Sequence, residues 1–472
     1  MADSPPLATL RHLASVAILL ALFSGESRGA SQRSYTIESI AIRGNTRTRD
    51  KTIRERLTFH VGDPYHEKEL TRSRFRLLLS GFFDDVDFRI RRGSGPHKVR
   101  VEVLVTERWT LVIDELYLGS SRRTAFWGGL AVTERNLFGR GLQLGLAAVF
   151  ARHQQGYRLT FTDPFVAGKA LMLRVGLLYN NAVDFLFGPN GTIVDGAESD
   201  FARIEYRRLG FTASVGFLVG TYSSITAGVR FEGIQAKVPE SVQERVQLTI
   251  DGTQTSYTRR LGIDIDRGRS YLSALQLGFT YQSLNNPALP SNGARIQLLA
   301  EVGHKIFGSS YSYAKFTAQY DHYWRLPWKH TISLHAFGGY IVGATPFFNQ
   351  FFIGDLSDFV PSRELELNFS DRVNPNILRS TLNLKRYEDI AGRLLVGYAI
   401  PLYTGRRFLL KADFFFHIGL IALTSSREVN IRTAADVRPF PLDLTFNLGF
   451  RFDTTIGVFG LSLSSLVSAF QF

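Results

Sequence analysis

From residue 109 onward, apolar and polar positions alternate in segments of about 9 to 13 residues, and no stretch repeats at helical spacing. In the segment 408–420, Phe408, Leu410, Ala412, Phe414, Phe416, Ile418 and Leu420 form one face, opposite Lys411, Asp413 and His417. Ile296, Leu298, Ala300 and Val302 alternate with Arg295, Gln297 and Glu301. Phe316, Ala318, Tyr320 and Trp324 alternate with Lys315, Thr317, Gln319 and Asp321. Successive strand residues point to opposite faces, so the pattern predicts an apolar face toward lipid and charged side chains toward a hydrated lumen. Sixteen such segments can be counted, the first near residue 110 and the last two near 457 and 467. An even number suits a closed transmembrane β-barrel, which leaves no strand edge unpaired.

Residues 31–108 follow a different pattern. Ile40 and Ile42 predict a strand ended by Gly44-Asn45, and Asp50 can cap a helix carrying Ile53 and Leu57. After Gly62-Asp63-Pro64, a second helix places Leu70, Leu77 and Leu78 on one side and stops at Gly81. Val86, Phe88 and Ile90, then Val99, Val101, Val103 and Val105, predict two strands joined by Gly93-Ser94-Gly95-Pro96. The order β-α-α-β-β describes a small α+β domain. Ahead of it, Arg11 and His12 precede the apolar stretch Leu13 to Phe23 and a small-residue group, the order of a signal peptide in residues 1–30. An uncleaved anchor helix is the other reading of that segment.

Composition sharpens this picture. The mean hydropathy of −0.02 is the average of a lipid face and a wet lumen in the same strands. After residue 23 no run of about 18 apolar residues occurs, which excludes a helical membrane bundle. The absence of cysteine excludes disulfides, thiol nucleophiles and thiolate zinc sites. No Walker loop, nucleophile elbow or zinc-protease helix is present, and the reading assigns no catalytic residue, cofactor or metal; an enzyme is not expected. The net charge is +13, and residues 31–108 contribute 17 Lys and Arg against 11 Asp and Glu. Arg72, Arg74, Arg76, Arg89, Arg91 and Arg92 form the densest part, a candidate basic patch for acidic peptide segments or anionic lipid head groups. An exported protein seldom meets nucleic acid, so that partner is not expected.

Gly44-Asn45, Gly62 and Gly81-Phe82-Phe83-Asp84, at their spacings, resemble a POTRA domain. Glu134, Asn136, Leu137, Phe138, Gly139 and Gly141, followed by Asp163-Pro164, resemble the early-barrel signature of the BamA/TamA-type outer-membrane assembly and translocation family. Read residue by residue, the same motifs are tight turns. The resemblance implies a periplasmic POTRA domain at 31–108 and a sixteen-stranded antiparallel barrel at 109–472, with a long extracellular loop at 343–391. It also implies a role in inserting or translocating polypeptides at the outer membrane. Its expected partners are outer-membrane lipids, unfolded or extended polypeptide clients, and periplasmic or lipoprotein accessory factors.

Two features depart from the family. Its long loop carries an arginine that pairs with acids on the following strands, but here the arginine slot falls on Val360 and the acidic slots on Gly397 and His417. Arg363, three residues on, either pairs with Asp413, which shares a face with His417, or is a solvated loop residue. Loss of this loop lock favours an alternative reading as a structural or passive pore. The last segment, Val467 to Phe472, is too short to span a bilayer, which makes Phe470 and Phe472 candidate gate-strand residues beside the first strand.

Overall fold

The computed structural model describes residues 35–120, 124–166, 169, 171–187, 201–220, 222–239, 243–250, 253–260, 262–286, 289–356, 365–369, 387–405, 408–426 and 442–468. The expected signal segment, Val360, Arg363, Phe470 and Phe472 lie outside the described residues.

The first unit has strand β1 (Thr36–Arg43), helices α1 (Asp50–Arg54) and α2 (Glu67–Leu79), and strands β2 (Phe83–Arg92) and β3 (Lys98–Glu107). β3 lies between the other two strands, parallel to β1 and antiparallel to β2. Of the residues predicted to face inward, Ile53, Leu77, Val86, Val101 and Val103 are fully buried, whereas Ile90 near the end of β2 is exposed. Gly81 follows α2 in the left-handed region at φ 74°, which lets the chain turn directly into β2. Asp50 does not cap α1. It is the first helical residue, and its carboxylate accepts from Asn45 Nδ2 at 2.8 Å, closing the preceding turn instead.

The barrel strands are β4 (Leu111–Gly119), β5 (Trp127–Leu137), β6 (Leu142–Ala151), β7 (Gln155–Asp163), β8 (Leu171–Phe187), β9 (Phe201–Val219) and β10 (Ser223–Lys237). A separate hairpin follows, β11 (Gln243–Ile250) and β12 (Thr253–Arg260). The barrel resumes with β13 (Gly268–Gln282), β14 (Gly293–Gly303), β15 (Ser312–Arg325) and β16 (Thr331–Ala344). The connection to the next barrel strand contains β17 (Phe351–Phe352), α3 (Ile353–Leu356) and β18 (Tyr387–Glu388). β19 (Ile390–Thr404), β20 (Leu409–Thr424), β21 (Leu442–Thr454) and β22 (Gly457–Ser468) complete the series. Fifteen of these strands form one meandering antiparallel sheet from β4 to β22.

The segments counted separately near 457 and 467 are one twelve-residue strand, β22. The final strand is therefore not a six-residue stub, and the short-strand argument for an easily opened edge does not hold. With fifteen strands joined by fourteen antiparallel pairings, β4 and β22 run in the same direction. The expected lipid face is present, with Leu146, Leu209, Leu277, Ile418 and Leu463 exposed around the barrel.

The lumen differs from expectation, because part of it is packed rather than hydrated. Inward residues Trp127, Val149, Ile204, Leu272 and Ile421 form one buried cluster with Phe347, Phe348, Phe352, Leu367 and Phe369 of the connection between β16 and β19. That connection enters the barrel as a plug. Its phenylalanines gain burial only by leaving water for the barrel interior, at roughly 1.5–3 kcal/mol per fully buried large apolar side chain.

Candidate functional site

Three structural features converge on how this barrel is held shut and how the small domain is held beneath it. The first is a joint. The Glu134–Gly141 motif forms the turn from β5 to β6. Asn136 Oδ1 accepts from Gly141 N at 2.8 Å, and Glu134 accepts from Asn136 N at 2.7 Å, so the motif holds its own shape. Its outer surface is then bound by the small domain. Asn136 Nδ2 donates to Thr48 Oγ1 at 2.8 Å, and the Gly139 carbonyl accepts from Arg49 N at 3.0 Å and Thr52 Oγ1 at 2.8 Å. Gly139 sits at φ 69°, and a Cβ there would lie 2.1 Å from the Arg47 carbonyl. Phe138 shares the left-handed conformation, while Leu137 pairs with Leu142 to close the hairpin. Asp163 accepts from Phe165 N at 3.0 Å in the Asp163-Pro164 turn, which directs the Phe165 ring onto Arg56 of the small domain. The motifs are tight turns, and they are also the contact surface between the two units.

Glu107 holds the domain side of the joint. Its carboxylate accepts from Thr46 Oγ1 at 2.7 Å, Thr48 N at 2.6 Å and Arg47 N at 2.9 Å. Burial pushes this carboxyl up, but the hydrogen bonds from Thr46, Thr48 and Arg47 outweigh it and bring the group from 4.5 down to about 2.

The second feature ties the plug to the wall. Arg208 of β9 is fully buried and donates to Glu232 of β10 at 2.7 and 2.9 Å and to Glu366 of the plug at 2.6 Å. Arg158 approaches the other Glu366 oxygen at 3.5 Å. Arg230 continues the chain of charges to Glu232, to Glu301 and to the plug residue Asn349. Around it, Asn180 donates to the Leu365 carbonyl and Gln154 to the Asn368 carbonyl, both at 2.8 Å, and Phe369 stacks on Trp127 at 4.6 Å. Leu365 and Glu366 both have positive φ, a conformation that non-glycine residues keep only when their surroundings fix it.

The lock thus has the reverse polarity of the expected one, with the acid on the plug and the arginines on the wall. Asp413 is paired with Arg451 at 2.9 and 3.1 Å, a bidentate contact on the neighbouring strand. Arg363, the partner expected for that carboxylate, lies outside the described residues. His417 lies between Phe415 and His335. The six arginines of the expected basic patch divide between two elements: Arg72, Arg74 and Arg76 lie on α2, and Arg89, Arg91 and Arg92 on β2. Arg72 pairs with Glu69, Arg74 with Asp85 and Arg91 with Glu102, so much of the charge is internally matched. Sequence reading placed Glu301 on the inner face but missed Arg208, Glu232 and Glu366. Their meeting depends on strand register and on the path of a plug 158 residues away.

The third feature is the seam. Among the described residues, Ile113 N donates to the Ile456 carbonyl at 2.7 Å at the domain end of β4 and β22, and the two strands do not pair along their length. Arg108 donates to the Thr454 carbonyl at 3.1 Å, linking the domain boundary to the same turn.

These features define a class: an antiparallel barrel plugged by its own connection, with one α+β domain docked beneath its early turns. Residues 35–108 match the POTRA family model, described as a surface antigen variable number repeat, and residues 136–359 match the Omp85 superfamily domain. The chain thus carries a POTRA domain and an Omp85 superfamily domain. It is 24% identical over 331 residues to the Outer membrane protein assembly factor BamA of Nitratidesulfovibrio vulgaris, covering 69% of this chain and 37% of that protein. It is 26% identical over 340 residues to the protein of the same name from Neisseria meningitidis serogroup B, covering 69% and 39%. The chain therefore spans under two fifths of the length of these curated relatives. Among solved structures, CdiB from Escherichia coli aligns with a TM-score of 0.54 at 9% identity, covering 99% of this chain and 96% of that one. BamA from Haemophilus ducreyi lacking POTRA domains 1-3 gives 0.50 at 16% identity, covering 94% and 82%. At these identities the structural likeness shows the fold alone.

Three outcomes follow from this geometry. Gly139→Ala should cost at least about 1–2 kcal/mol through its left-handed backbone and loosen the joint, speeding amide exchange at Arg49 roughly tenfold. Glu366→Gln removes the charge from the plug but leaves the Arg208–Glu232 pair, so it should weaken plug attachment by about 1 kcal/mol, seen as severalfold faster amide exchange across 365–369. The folded-state value of Glu107 is depressed, so its stabilisation is complete above pH 4.5 and is lost as pH falls toward 2. Amide exchange across Thr46–Thr48, corrected for intrinsic rates, should rise over that window in the wild type. In Glu107→Gln it should already be fast at neutral pH.

Proposed function

We propose that this chain is an outer-membrane protein that inserts or translocates polypeptides, with its POTRA domain in the periplasm. The observation that carries the reading is the seam. Every backbone group facing hydrocarbon needs a hydrogen-bond partner, so an unpaired pair of edges within a barrel is a standing acceptor for another strand. Because β4 and β22 run in the same direction, one incoming strand running the opposite way is antiparallel to both edges at once. Main-chain pairing of this kind recognises extended polypeptide without regard to most of its sequence.

The clients are unfolded or extended polypeptides, and the barrel's surroundings are outer-membrane lipids. The role needs no bond-making chemistry, since the energy comes from the client's own strand pairing and burial. Periplasmic or lipoprotein accessory factors would act on the POTRA domain. The two sequence matches to assembly factors support this reading. The passive-pore alternative drew on the apparent loss of a loop lock, and the Glu366–Arg208 contact removes that argument.

At the domain end of β4 and β22, Ile113 meets Ile456. A cysteine pair at Ile113 and Ile456, oxidised in liposomes, should abolish accelerated folding of an unrelated barrel protein, and reductant should restore it. Full activity in the oxidised barrel would sink the proposal; ion conductance with no folding activity would establish the pore.

A further inference from the structure

Between the POTRA domain and the barrel lies a cavity of about 580 Å³, within the roughly 300–1,000 Å³ range of small-molecule sites. Its walls come from α2, the end of α1, and the turns after β7 and β9. Three guanidinium groups reach it, those of Arg56, Arg72 and Arg76, together with the Gln143 amide. Glu69 is the carboxylate lining it, and Arg72 already pairs with that residue at 2.7 Å.

Arg56 and Arg76 are differently placed. Arg56 is 2% exposed and donates to the Thr52 carbonyl at 2.8 Å. Its guanidinium is held between the rings of Phe82 and Phe165, at 4.9 and 4.7 Å. Arg76 lies over the other part of the Phe165 surface at 5.4 Å. Among the described residues, neither has a carboxylate within ion-pair distance; Glu55 and Asp163 act on Arg56 only at longer range. Burial pushes Arg56 down to about 10, and it lowers Arg76 as well, so both cations are desolvated without full compensation. Aromatic stacking orients the groups but does not neutralise them.

We propose that this cavity binds a phosphate-bearing anion, of the kind carried by an anionic phospholipid head group. Several guanidinium forks and an amide present more donors than the two oxygens of a carboxylate use, and a phosphate offers more acceptor oxygens to meet them. The position favours the lipid source. The β9 end that borders the cavity exposes Phe217, Leu218 and Val219, and the following Tyr222 packs edge-on against Phe75 of α2 at 5.2 Å. An acyl chain lying against that apolar strand end leaves its head group at the mouth of the basic cavity. The bound anion would bridge Arg56 and Arg76 of the domain to Gln143 of the barrel, adding a lipid-dependent contact to the joint.

The test uses the full chain in uncharged detergent. Native mass spectrometry compares retention of phosphatidylglycerol and of phosphatidylcholine with the same acyl chains; phosphorus NMR line broadening measures binding of inorganic phosphate. The wild type should retain phosphatidylglycerol over phosphatidylcholine, and Arg76→Gln should weaken that retention at least about tenfold, with partial recovery in Arg76→Lys. Arg56→Gln should do the same if it folds; Arg76 is less buried and keeps the test decisive if it does not. Inorganic phosphate broadening that is lost in Arg76→Gln, without lipid retention, supports the anion site and assigns it to a free phosphate. Equal retention of the two lipids, or wild type and Arg76→Gln behaving alike toward both probes, overturns the proposal.

Discussion

A strand edge in hydrocarbon must find a partner, and the architecture of this protein follows from how far that demand is met. Fourteen antiparallel pairings satisfy the interior of the sheet from β4 to β22. Fifteen strands in meander leave two edges that point the same way, joined at the domain end through Ile113 and Ile456. A barrel with one more antiparallel strand would close without conflict. Parallel edges can also pair, yet among the described residues these two meet only at the domain end, which leaves a run where another strand fits.

The plug answers a second demand. Inner strand faces carry both apolar groups and charges, and neither kind tolerates an empty lumen. The apolar groups close over Phe347, Phe352 and Phe369. The charges are paired in a chain from Glu366 through Arg208, Glu232 and Arg230 to Glu301. Arg208 is the critical member, because a fully buried guanidinium is tolerable only when its donors are used. Glu232 would satisfy part of it with the plug withdrawn, which makes the plug's contact separable from the integrity of the wall. Such separability is what a movable closure needs.

Below the barrel, two turns that hold their own shape also form the surface on which the POTRA domain sits. Asn136 does both tasks with one side chain, its oxygen closing the turn and its nitrogen reaching Thr48. The domain's orientation is thus coupled to the β5–β6 hairpin, next to the seam strand β4. A change in the joint bears directly on the edge where a client would enter.

The small domain's order and the barrel's period-two strands were legible in the sequence because both are set locally, by alternation along a strand and by glycines such as Gly81 where the backbone turns left-handed. The Glu134–Gly141 and Asp163-Pro164 turns were legible for the same reason. The sequence alone could not show that 457 and 467 belong to one strand, so the parallel edges were hidden until pairing with β21 was seen. Nor could it assign the lock. Alternation tells which face a residue occupies, but not its height on the wall, and Asp413 meets Arg451 because strand register places them side by side. Glu366 reads in sequence as one more loop acid. Only the path of the plug into the lumen, drawn in by its own apolar residues, puts that carboxylate against Arg208.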